Sequence, residues 1–186
     1  MIEAINKQNE DFELIKDLKS LNISKSAEII FDLFNLEANS SNLLKKLYEE
    51  LEMDINSKDM YLKKIDMERI ILDVVDDLIY RSRFSIKSSE INYQNFFKSV
   101  SIEFDYDKES ILEKLVKYIQ VMSELLDKEL FIIVNLDSFL SEEEIVELKK
   151  FLCYNEIKVL ALQNTITREV ESCENLRILD KDLCEI

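Results

Sequence analysis

Not one glycine occurs among the 186 residues, and proline, histidine and tryptophan are absent too. At ordinary usage roughly 13 glycines are expected in such a chain. Turns must therefore rest on Asn, Asp and Ser, which enter the left-handed backbone region less easily than glycine. The available chemistry narrows as well. A Walker-type loop needs glycines so that backbone amides can close on phosphates, and a dinucleotide fingerprint needs them for the same reason. Without imidazole there is no histidine base, triad member or zinc ligand. An AT-rich coding sequence explains the abundance of Lys, Ile, Asn and Glu, and the chemical consequences do not depend on that cause.

A chain of this length buries roughly 70% of its unfolded surface, enough for a real core. Hydrophobic and charged contents of 47% and 34% fit a soluble globular protein. No apolar run approaches the roughly 20 residues that span a bilayer. Met1 to Glu13 is too polar for a signal sequence. Net charge is −15, which disfavours random encounter with nucleic acid; a DNA-binding role needs the cations gathered on one surface. Cys153, Cys173 and Cys184 match no metal spacing, and an odd number suits reduced thiols in a cytoplasm. Cys153 lies near the apolar face of its helix and reads as a core residue.

The C-terminal third has the clearest pattern. Leu130 to Val134 is an apolar strand that stops at Asn135-Leu136-Asp137. Ser141 and Glu144 form a capping box opening a helix with Ile145, Leu148, Phe151 and Leu152 at helical spacing. Strands follow at Lys158 to Leu162 and Leu176 to Leu179. Strand, helix, strand is a parallel crossover unit. Upstream, Met1 to Gln8 reads as the tail of a helix, Phe12 to Ile15 as a short strand-like piece and Glu28 to Leu36 as a buried strand. Asn39-Ser40-Ser41 caps a helix to about Glu52, with Leu43, Leu44, Leu47 and Leu51 as its apolar stripe. Asp59 to Tyr80 is a long helix with Leu62, Ile65, Ile71, Leu72, Val75, Leu78 and Ile79 on one side, and an Asp77–Arg81 ion pair. Ser85 to Lys87 reads as a short strand or turn, Tyr93 to Val100 as a helix, Ile102 to Phe104 as an edge strand and Lys108 to Leu126 as an amphipathic helix. The fold class is α/β: a head of residues 1–38 and 106–186, with a parallel-type sheet and flanking helices, carries an inserted helical leg, residues 39–105.

Asp137, at the end of a buried strand, has two readings, a metal ligand or the residue of a turn. The missing phosphate loop favours the turn. Glu142, Glu143 and Glu144 complement a helix dipole more simply than they bind a divalent ion. The middle region holds most of the candidate phosphate contacts, Lys63, Lys64, Arg69, Arg81, Arg83, Lys87 and Lys98. From Arg81 to Ser101 Glu90 is the acid that faces Arg81, Arg83, Lys87 and Lys98, and such a stretch can track a phosphate backbone. A solvated face with ordinary charge pairs is the plainer reading.

Phe131-Ile-Ile-Val-Asn-Leu, Phe139-Leu140-Ser141 with its acidic helix, and the closing Asp180-Lys-Asp-Leu-Cys-Glu-Ile186 resemble the C-terminal region of the type II-A CRISPR-associated adaptation protein, the Csn-two family. The upstream order is similar over nearly the whole chain: an Asn-Ser-Ser cap, a leucine-rich helix, a long helix, a connector, then a helix leading into the strand. The resemblance implies a ring-shaped homotetramer without enzymatic activity. Each subunit would have an α/β head akin to a P-loop kinase core and a helical leg. Such rings thread double-stranded DNA ends through a lysine-lined hole, bind calcium, and support spacer acquisition with other CRISPR adaptation proteins, in the cytoplasm and without a membrane. Two departures stand out. Members of the family begin with extra strands, and Met1 falls about where the following helix belongs. The expectation is a fragment, a misassigned start or a short lineage, with an uncovered and aggregation-prone sheet edge if the strands are absent. Where relatives carry several acids, the connector reads Ser85-Ile-Lys87-Ser-Ser89-Glu90. Glu90 alone remains as a metal ligand, and a hard cation needs about six oxygens.

Three function classes follow. One is a non-catalytic protein that binds double-stranded DNA ends. Another is an acidic α/β module that docks on a basic partner protein without touching DNA. A degenerate nucleotide-binding enzyme is the weakest, lacking both phosphate-cradling glycines and a histidine base.

Overall fold

The computed structural model describes residues 14–16, 19–106, 109–165 and 174–178. It is a mixed helix and sheet chain that divides into two compact units. One is drawn from Met1–Leu36, Glu109–Ile119 and Lys128–Ile186, the other from Glu37–Lys108 and Gln120–Asp127.

The first unit is built on a three-stranded parallel sheet. Its strands are β3 (Ala27–Ile30), β4 (Leu130–Val134) and β5 (Lys158–Leu162), in the order β3-β4-β5. Ile29 pairs with Ile132, which in turn pairs with Leu160. The central strand β4 reads Leu-Phe-Ile-Ile-Val, and Phe131, Ile132 and Ile133 are all buried. That is the unbroken apolar run of a parallel strand covered on both faces. α6 (Glu142–Tyr154) provides the crossover from β4 to β5 and buries Ile145 and Leu148. Its capping box is complete: Ser141 Oγ accepts from Glu144 N–H, and Glu144 Oε2 accepts from Ser141 N–H at 2.8 Å. α5 (Ile111–Leu126) contributes Leu112, Leu115, Tyr118 and Ile119 to the buried set of this unit. Tyr118 Oη donates to Glu28 at 2.9 Å, and Lys128 Nζ donates to the Ala27 carbonyl at 2.8 Å, so polar groups hold the start of β3. A short antiparallel pair, β1 (Leu14–Lys16) with β2 (Lys19–Leu21), and the one-turn helix α1 (Ile23–Ser26) precede β3.

The second unit contains α2 (Ser41–Ile55), α3 (Tyr61–Arg81) and α4 (Tyr93–Ser99). Ile55, Tyr93 and Phe97 form its core, lined by Tyr48, Leu51, Met67, Ile91, Phe96 and Ile102. Phe97 meets the rings of Tyr48, Tyr93 and Phe96 at centroid distances of 6.0–6.3 Å. Asn39 gives the unit an unusual fastening. Its Nδ2 donates to the Phe104 carbonyl at 3.0 Å and its Oδ1 accepts from the Phe104 N–H at 2.8 Å. One side-chain amide thus satisfies both backbone groups of a residue far along the chain, as a strand neighbour would.

Several expectations need correction. The strand expected over Glu28 to Leu36 ends at Ile30, because Asp32 accepts from the Phe34 N–H at 2.9 Å and from Asn35 Nδ2 at 3.1 Å, an Asx turn that folds the chain away. Ile102 to Phe104 is not a strand; the Ile102 carbonyl accepts from Tyr48 Oη and both backbone groups of Phe104 are taken by the Asn39 side chain. Residues 176–178 are not a strand either, and 179 lies outside the described residues. Cys153 is exposed rather than in the core. The cap of α2 is Ser40, with no side-chain bond, and the helix runs on to Ile55. Asp77 and Arg81 make no ion pair; α3 carries Lys64–Glu68 and Asp66–Arg69 instead. The inward face of α3 is also displaced. No residue of this helix is buried, Leu62 and Leu78 are 74% and 62% exposed, and the half-buried row is Lys64, Met67, Ile71, Val75 and Ile79. The expected helix tail at 1–8, Cys173, Cys184 and the closing residues 180–186 lie outside the described residues.

Candidate nucleic-acid interface

The seven expected phosphate contacts fall in the second unit. Lys63, Lys64, Arg69 and Arg81 lie on α3, Arg83 and Lys87 on the connector behind it, and Lys98 in the last turn of α4. Their settings differ. Lys64 is turned inward, donating to Asn56 Oδ1 at 2.7 Å, standing 3.8 Å from Glu68 and lying 5.2 Å over the Tyr93 ring. Tyr93 Oη donates to the same Glu68, and burial first, then that carboxylate, push its phenol up from the ordinary range. Lys64 is thus part of the packing of α3 on α4, and its charge is already matched. Arg69 is exposed and stands 3.5 Å from Asp66. Lys63, Arg81, Arg83, Lys87 and Lys98 are exposed and form no ion pair among the described residues.

These five do not make one continuous face. Lys63 and Arg81 share a side of α3, five turns or about 27 Å apart. Asp77 and the exposed Ile70 and Val74 occupy the same side between them. The denser group is Arg81, Arg83 and Lys87. It is shaped by Ser82, whose N–H donates to the Ile79 carbonyl at 3.1 Å to end the helix and whose Oγ accepts from the Phe84 N–H at 3.1 Å. The chain then runs without regular structure to Asn92, whose side chain caps α4 by accepting from Asn95 N–H at 2.8 Å. Lys45 and Lys46, also basic, are matched to Glu49; the Lys46 Nζ donates to it at 2.7 Å, which raises the lysine and lowers the acid from their ordinary values.

Glu90 is exposed in that connector, with no second acid between Arg81 and Ile91. Among the described residues no group of three or more metal-ligating side chains comes together. Among the described residues the carboxylates a calcium ion requires are not supplied around Glu90. Asp137 accepts from Gln163 Nε2 at 2.9 Å inside a short 3-10 turn, in keeping with its reading as a turn residue. An open depression on α2 is lined by Glu49, Glu52, Met53 and Asn56, an acidic lining unsuited to phosphate. Among the described residues no helix is long and apolar enough to cross a membrane. Two features escaped the sequence reading. One is the Asn39 fastening, which has no local signal. The other is the exposure of Tyr80 and Phe84 beside the cations, for which the alternation Tyr-Arg-Ser-Arg-Phe was a legible sign.

A three-stranded parallel sheet with its crossover helix defines an α/β protein, here with neither glycine nor histidine in its sequence. Residues 5–183 match the family described as CRISPR-associated protein (Cas_Csn2), and the chain belongs to that family. It is 24% identical over 141 residues to a CRISPR-associated protein Csn2 from Enterococcus faecalis, covering 75% of this chain and 64% of that protein. It is 21% identical over 156 residues to a CRISPR-associated protein Csn2 from Streptococcus agalactiae, covering 83% and 71% respectively. The chain therefore spans slightly less than two thirds of the length of the first of these relatives.

Proposed function

We propose that this chain is a non-catalytic double-stranded DNA-end-binding protein of CRISPR adaptation, working as a homotetrameric ring beside other adaptation proteins. The observation that carries this reading is membership of the CRISPR-associated family together with five exposed cations in the second unit that form no ion pair among the described residues of an otherwise acidic chain. Contacts go to phosphates, so binding is indifferent to sequence and weakens steeply with salt as counterions are released. Lys63, Arg81, Arg83, Lys87 and Lys98 are the contacts; Lys64 and Arg69 support them from paired positions. The test compares linear duplex with a covalently closed circle, at low and moderate salt, with calcium and with chelator. Preference for the linear form in chelator is expected. Equal binding to the circle removes end recognition. Reversing charge at Arg81, Arg83 and Lys98 together is expected to abolish retention, and unchanged affinity removes that patch.

A second reading has its own support. Net charge of −15 and the exposed apolar residues of α3 suit a module that docks on a basic partner protein. Salt-sensitive capture of such a partner, with no DNA retardation, selects it.

A further inference from the structure

The connector behind α3 holds more than cations. Tyr80 and Phe84 are 89% and 79% exposed, and Arg81, Arg83 and Lys87 stand exposed among them. Among the described residues neither ring joins the aromatic core of its unit or meets another ring. Large rings are the most rewarding side chains to bury. Leaving two of them in water within five positions forgoes that gain at a place already rich in positive charge.

We propose that residues 80–87 bind unpaired nucleotides at the end of a duplex. The rings of Tyr80 and Phe84 stack on bases, and Arg81, Arg83 and Lys87 hold the intervening phosphates. The proposal rests on the DNA-end reading above and adds to it a preferred substrate, an end with a single-stranded extension. Charge complementarity selects this occupant. From Arg81 to Ser89 the chain has no acid, although the whole carries −15. Flat rings alternating with cations are what a base and its phosphate meet in turn, as in single-strand-binding grooves. A second copy docking on the same rings would bury three cations with them, whereas the centre of a protein interface is depleted in charge. The Ser82 bond to Phe84 N–H fixes the turn that separates the two rings.

The test uses one duplex stem, either blunt or with a short unpaired extension carrying a fluorescent adenine analogue. Affinity is read by anisotropy and stacking by quenching of the analogue. The extension is expected to tighten binding about tenfold and quench the analogue. In Tyr80→Ala/Phe84→Ala the ratio of extended to blunt affinity should fall to near one and emission return. Circular dichroism and the urea midpoint confirm that this variant is folded. Equal affinity for both ends by the parent protein overturns this proposal alone. Failure to bind either end overturns the DNA-end reading and this one with it. A ratio retained in the variant, with a smaller assembly on sedimentation, assigns the rings to self-contact and also overturns the proposal.

Discussion

Single residues show how a chain without glycine closes its helices. Ser101 and Glu156 have φ of 55° and 56°. Each follows a helix in the same way: Ile102 N–H donates to the Phe97 carbonyl and Ile157 N–H to the Leu152 carbonyl, at 3.2 and 3.0 Å. This is the six-to-one bond of a Schellman cap, whose left-handed position ordinarily belongs to glycine. Asn, Asp and Ser were expected to carry such turns, and Asn135, Asp127 and Ser101 do. Glu156 departs from that expectation, since a glutamate has no short side chain to ease the left-handed conformation. Glu156→Gly should therefore stabilise the protein by about 1 kcal/mol, relief of strain outweighing the added freedom of the unfolded chain. Urea denaturation checks this through a higher midpoint with unchanged slope; a lower midpoint overturns it.

At the scale of elements, caps and fastenings do work that hydrophobic patterns do not reveal. Two helices begin with a serine and a glutamate in reciprocal bonds, Ser110 with Glu113 and Ser141 with Glu144. The second was legible in the sequence. The first, Ser-Ile-Leu-Glu, has the same spacing, but the helix was expected to start earlier, at Lys108. In both boxes the backbone N–H of the serine, first of all, holds the glutamate below its ordinary value of 4.5. A folded-state value below the unfolded one contributes stability that is fully present above the ordinary value. It is lost as pH falls through the folded value, where both states become protonated. Stability measured by urea from about pH 6 down to about pH 3 should thus decline less steeply in Glu113→Gln/Glu144→Gln than in the parent. Parallel curves overturn the assignment. The Asn39 fastening makes a separate prediction. Asn39→Ala leaves both backbone groups of Phe104 without their protein partner, at a cost of about 1–2 kcal/mol. Since α2, α3 and α4 share one core, hydrogen exchange should quicken around Ile102 and Phe104 before it does in β4.

On the scale of the whole molecule, α3 is the element least explained by its own chain. This 21-residue helix packs only through its half-buried row, has no fully buried residue, and leaves Ile70, Val74 and Leu78 at 62%, 55% and 62% exposure. Helical stability in proteins comes mainly from such packing. Were the chain to form the ring proposed above, neighbouring copies would cover part of this surface. Ile70→Glu/Leu78→Lys should then reduce the assembly observed by sedimentation and make thermal stability less dependent on protein concentration. An unchanged assembly assigns the contact elsewhere.

The amino-acid sequence by itself determined the parallel crossover of β4, α6 and β5, the main helices, and the exclusion of glycine-loop and histidine chemistry. These properties are local: apolar period, capping spacing and residue type act within a few turns of chain. Family membership was legible too, because the order of elements survives where individual residues do not. Only the tertiary structure decided which cations remain available. Lys63 and Lys64 are neighbours in sequence, yet one points to water and the other into Asn56, Glu68 and Tyr93. Glu68, one turn on, is a local cue for Lys64, but the Tyr93 ring that covers it is brought by α4 from later in the chain. Asn39 at Phe104 and the exposed Cys153 have the same cause. Each depends on which distant group supplies, or fails to supply, a partner, and that is a property of the packed chain rather than of any segment in it.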